Sequence, residues 1–174
     1  MITRRTKTYI AGDWDNDIGA IDKLYEWKNN GWLALDFYDA HEVTQARDTS
    51  LCCSIKKSLR ERLDLSHTFV LVVGNQTNKL TKGSCRYCNS YDSYHQTCHR
   101  RNTVDFRSYI QYECDTAQKD NMRIIVLYNS EFVNKSLCPE IFRNYIDHVP
   151  MLIRKNDNKL YWNYESVRKA LMGR

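Results

Sequence analysis

DFRSYIQYECDTAQKD, residues 105–120, reads as one amphipathic helix of roughly four turns. At helical spacing Phe106, Tyr109, Ile110, Glu113 and Ala117 form a single core-facing stripe. A glutamate is out of place there. Carboxylates are seldom buried without a partner, and burial raises their pKa toward values useful for chemistry. The plain alternative is an ion pair with Arg107 or Arg123.

The flanking segments decide what the helix packs on. HTFVLVV (67–73) and a long polar loop precede it, and RIIVLY (123–128) follows it. Strand, loop, helix and strand make a parallel crossover unit. In open parallel sheets the ligand crevice lies outside the carboxyl ends of the strands, so the loop from Gly74 and the start of the helix should border it.

The same alternation runs through the N-terminal half. Lys7–Ala11 is a short strand ended by Gly12, and the acidic turn Asp13–Asp17 leads into a helix with Ile18, Ile21, Leu24, Tyr25 and Trp27 inward. Gly31 closes that helix. Leu33–Tyr38 is a second strand, followed by a polar connection from Asp39 to Ser50. Leu51, Ile55, Leu59 and Leu63 mark the next helix. Towards the C-terminus, residues 139–145 read as a short helix, 148–154 as an edge strand bearing Pro150, and Tyr164, Val167, Ala170 and Leu171 as a terminal helix. Leu160–Trp162 is too short to assign. The pattern predicts one α/β domain over 1–174, flavodoxin-like, with a parallel sheet of about five strands, helices on both faces and a loop insertion at 75–103.

Composition narrows the functional classes. The chain has 174 residues, a size suited to one sizeable core. No apolar run is long enough to span a bilayer, and the N-terminus lacks the apolar core of a signal peptide. Seven cysteines, an odd number, then suggest reduced cytoplasmic thiols rather than a disulfide framework. The net charge of +5 favours an anionic partner. Lys56, Lys57, Arg60 and Arg62 could form a basic helix face, but no nucleic-acid-binding module is visible, so nucleic acid is disfavoured as a partner.

Motifs exclude further chemistries. Asp13, Asp15 and Asp17 suggest the acidic end of a phosphoacceptor domain, but the third strand ends Val72-Val73-Gly74 where such a domain needs an aspartate. Asp17 can instead cap the first helix. Neither GxGxxG nor GxxxxGK is present. In the long loop, Cys85 and Cys88 with Cys98 and His95 or His99 leave a metal knot open, although adjacent Cys98-His99 lacks the usual half-site spacing. Free thiols packed with Tyr87, Tyr91 and Tyr94 are the other reading. Cys52 and Cys53 read as helix packing. Cys114 does too, turned away from the stripe.

The sequence resembles the TIR-like proteins of bacterial antiphage defence, the ThsB subunits of Thoeris systems in particular. The likeness is carried by Tyr9-Ile-Ala-Gly-Asp-Trp-Asp15, Phe37-Tyr-Asp-Ala-His41, Thr68-Phe-Val-Leu-Val-Val-Gly74 and Ser108-Tyr-Ile-Gln-Tyr-Glu-Cys114 before Ile124–Leu127. It implies a TIR-like domain in which Glu113 is the residue needed to split NAD, with NAD as substrate and no separate cofactor. The Ser-x-x-Cys-x-x-Glu spacing of many TIR enzymes is absent. The expected product is a cyclic or conjugated ADP-ribose that activates a partner effector after a phage-derived trigger, and homo-oligomers are compatible with this. At predicted strand ends, Trp14 and Tyr38 are candidates to stack on a base, and Asp13 and Asp39 to take ribose hydroxyls. TIR folds also serve as non-catalytic interaction modules, which is the competing expectation.

Overall fold

The computed structural model describes residues 7–32, 37–39 and 51–173, with residues 37–39 as backbone only. Five parallel strands form the central sheet: β1 (Lys7–Ala11), β2 (Phe37–Asp39), β3 (Ser66–Val73), β6 (Arg123–Tyr128) and β7 (His148–Pro150). Their order is β2-β1-β3-β6-β7, the flavodoxin-like order. Two small antiparallel hairpins lie outside it, β4 (Tyr91–Asp92) with β5 (Thr97–Cys98) and β8 (Leu152–Arg154) with β9 (Leu160–Trp162).

Strand alternation sends side chains to two cores. Tyr9, Phe69, Leu71, Val73, Ile124 and Val126 pack beneath α2 (Cys52–Asp64) and α3 (Tyr109–Lys119). Ile10, Val70, Val72, Ile125 and Leu127 pack beneath α1 (Ile18–Asn29) and α4 (Tyr164–Met172). Burial on both faces explains why β3 and β6 read as continuous apolar runs.

Several expectations are corrected in detail. The α3 helix starts at Tyr109, because Ser108 caps it: its side chain accepts from the Gln111 N–H while the Gln111 side chain accepts from the Ser108 N–H. Phe106 therefore lies outside the helix, exposed, with its ring edge-on to Tyr91. Cys114 is buried in the core rather than turned away, since the covered face of α3 is wider than the stripe. Ile18 is exposed and Ala20 takes its inward place. Gly31 closes α1 with φ +73°, its N–H and that of Trp32 bonding back to Lys28 and Trp27, a Schellman end.

Lys56 leaves the basic face altogether. It is buried, donating to the carbonyls of Asp105 (3.1 Å) and Arg107 (2.7 Å). The segment 139–145 holds a 3₁₀ turn at Glu140–Phe142, and the expected strand 148–154 divides into β7 and β8, with β9 supplying the partner of β8. Residues 33–36 and the connection from 40 to 50 lie outside the described residues.

Candidate active site

Glu113 sits on the second turn of α3, 3 % exposed, on the face covered by the sheet. Its Oε1 accepts a 2.5 Å hydrogen bond from the hydroxyl of Tyr9, itself fully buried on β1 and stacked on Phe69. Neither arginine proposed as an ion-pair partner is there. Arg107 binds Asp105 and Asp115, and Arg123 donates to the carbonyls of Ala170 and Leu171. Among the described residues Glu113 has no cationic partner, and burial pushes its pKa up to about 8 against the opposing Tyr9 hydrogen bond.

A cavity of about 60 Å³ opens beside it, lined by Gly12, Asp13, Trp14, Lys82, Tyr109 and Glu113 among others. These come from the turn after β1, the inserted loop and α3, so the cavity lies at the carboxyl end of the sheet, as the crossover rule requires. It is the size of a few waters, too small for a whole dinucleotide. Lys82 and Asp15, both well exposed, approach to 3.7 Å across it.

The predicted binding residues fare differently. Trp14 is half-buried, lines the cavity and also packs on the α1 side of the core. Asp13 lines the cavity too, but its carboxylate is engaged in its own turn: Oδ1 accepts from the N–H of Asp15 (3.1 Å) and Oδ2 from the Asn16 amide (2.6 Å). Tyr38 and Asp39 stand on β2 in register with Tyr9 and Ile10, one strand from the Tyr9–Glu113 pair. Asp17 is no side-chain cap. Its Oδ1 accepts from the Asn129 amide at 2.8 Å, beside Gly74, where any Cβ would fall 2.1 Å from that carboxylate. Burial raises the Asp17 pKa, opposed by the Asn129 bond.

Tyr9 and Lys82 were not singled out by sequence reasoning. Nothing local marks them. Tyr9 reads as an ordinary strand aromatic, and only the packing of α3 over β1 brings its hydroxyl to Glu113.

The loop cysteines gather differently from the expected knot. Cys85, Cys88 and Cys98 share a small cavity with Cys52, Cys53 and Tyr91, while His95 and His99 are exposed and Tyr87 and Tyr94 point away into solvent. His95 is held by Asp92 at 2.7 Å. Among the described residues no group of three or more His, Cys, Asp or Glu side chains is arranged to hold a metal ion.

Residues 9–82 match the family model described as Thoeris protein ThsB, TIR-like domain. Over that stretch, less than half of its length, the chain is similar to the TIR-like domain of ThsB proteins. That likeness implies a role in antiphage defence. The matched stretch contains Tyr9, Asp13, Trp14, Tyr38, Asp39 and Lys82, and ends before Glu113, which the fold brings beside Tyr9. No curated protein matches the chain. Among the described residues no helix is long and apolar enough to cross a membrane.

Proposed function

We propose that this protein cleaves the bond between nicotinamide and ribose in NAD and passes the ADP-ribosyl group on as a cyclic or conjugated signal that activates a partner effector. The observation that carries the reading is Glu113: a buried carboxyl group without a cationic partner among the described residues, bordering a cavity at the carboxyl end of a TIR-like sheet.

The chemistry needs little else. As the C–N bond breaks, its electron pair leaves with neutral nicotinamide and positive charge develops on the ribose, as in glycoside cleavage generally. An ionised Glu113 stabilises that charge in a site with little water. In the free protein burial holds much of the group protonated near neutral pH, and a cationic nicotinamide ring beside it favours loss of the proton. Tyr9 orients the carboxylate, Trp14 offers a face for stacking, and Lys82 offers a cation for the phosphates. The attacking group then sets the product. Water yields ADP-ribose, an internal nitrogen or hydroxyl a cyclic isomer, and an external amine a conjugate.

The test is nucleotide chromatography after incubation with NAD, with and without extract of infected cells, on the parent protein and on Glu113→Gln. The variant keeps shape and loses charge, so turnover should fall by roughly two to three powers of ten while the fold survives, the usual loss for one electrostatic group. Retained cleavage would exclude Glu113 from the chemistry. A parent that never cleaves NAD under any trigger would move the protein to the class of interaction modules.

A further inference from the structure

We propose that Cys52 and Cys85 are an oxidisable dithiol that closes into a disulfide, tying the inserted loop to α2 beside the candidate site. Their sulfurs lie 3.3 Å apart although the residues are 33 positions apart in sequence. Cys52 opens α2 and Cys85 opens a 3₁₀ turn of the loop (Cys85–Tyr87), and both are buried. The cavity they share with Cys53, Cys88 and Cys98 is about 10 Å³, no more than one water's worth of space, so the thiols face one another. With no metal-holding arrangement among the described residues, pairwise sulfur chemistry is what the geometry offers.

The two sulfurs have different roles. In the proposed sequence Cys85, whose Sγ accepts from the Asp105 N–H at 3.3 Å, is the sulfur oxidised first. With hydrogen peroxide as oxidant, an S–O bond forms, the O–O bond breaks, and the departing hydroxide takes the thiol proton as water. Cys52 then attacks the sulfenic sulfur. The S–S bond forms, the S–O bond breaks, and hydroxide leaves with the Cys52 proton as a second water. Two thiols lose two electrons and one peroxide gains them. Burial and neighbouring sulfurs push the Cys52 thiol up to about 12.

Closure reaches the Glu113 cavity through the backbone. The sulfurs must draw in to about 2.05 Å. Two residues before Cys85, Gly83 (φ +96°) lies so tightly on Tyr109 that a Cβ there would be 2.4 Å from the ring. The Tyr109 N–H donates to the Lys82 carbonyl at 2.8 Å, and Lys82 and Tyr109 both line the cavity. A shift of Cys85 toward α2 therefore has no slack to absorb it before Tyr109.

The test treats the purified full chain with hydrogen peroxide, blocks remaining thiols by alkylation and maps peptides without reductant. A peptide pair joining Cys52 to Cys85, lighter by two hydrogens and reversed by dithiothreitol, is the expected result. The pair should be absent in Cys52→Ser and retained in Cys88→Ser. No crosslink, crosslinks confined to other cysteines, or a stoichiometric metal released in step with thiol modification would overturn the proposal. Mapping needs no NAD assay, so its failure is separate from any failure of the reading of Glu113.

Discussion

At Glu113 two influences act on one carboxyl group in opposite senses. Burial favours the neutral acid, and the Tyr9 hydroxyl favours the anion; burial wins, and the pKa rises from 4.5 to about 8. The consequence for stability has a definite sign. Between these two pH values the folded protein keeps a proton that the unfolded chain has released, so stability falls as pH rises from the lower to the higher and levels off above it. The full displacement corresponds to roughly 4–5 kcal/mol as an upper figure. Glu113→Gln cannot ionise, so its melting temperature should match or trail the parent at pH 5 and overtake it towards pH 9. A gap that does not vary with pH would show that Glu113 is not buried in solution. Burial was legible in the sequence from the stripe of α3, but its partner was not: Arg107 and Arg123 were the nearest candidates in sequence, and the partner lies 104 positions away.

At the scale of elements, α3 depends on its first turn. Ser108 and Gln111 bond reciprocally and leave fewer orphan N–H groups where the helix meets the cavity. Ser108→Ala should cost about 1 kcal/mol, the usual value for losing a side-chain cap. In a chain of this length that lowers the melting temperature by about 2–4 °C, which calorimetry would detect; no change would mean that the cap is replaced by water. The Ser-x-x-Gln signature was present in the sequence, yet the apolar spacing of Phe106 extended the helix one turn too early. Periodicity records where apolar side chains fall, whereas the start of a helix depends on which backbone donors find acceptors. The buried Lys56 shows the same limit. Its charge suggested a solvated face, but two carbonyls and Asp105 from the segment before α3 fold over it.

For the whole molecule, the inserted loop is a packed part of the domain. The Cys85 N–H donates to the Asp105 carbonyl, Tyr91–Asp92 pairs with Thr97–Cys98, and the Asn102 amide reaches Cys53. Limited trypsin digestion should spare Arg86, whose guanidinium lies over the Phe106 ring at 5.0 Å; rapid cutting there with the rest of the domain intact would contradict this packing. Sequence alone was enough to determine the class of fold, the buried strands on either side of α3 and the glutamate at a core position, because hydrophobic periodicity and turn residues are local properties of the chain. The Tyr9–Glu113 bond, the engagement of Asp13 in its own turn and the meeting of Cys52 with Cys85 were decided only by tertiary structure. Each depends on groups brought together from distant segments by packing the two cores, and no local pattern of residues encodes which distant side chain will arrive.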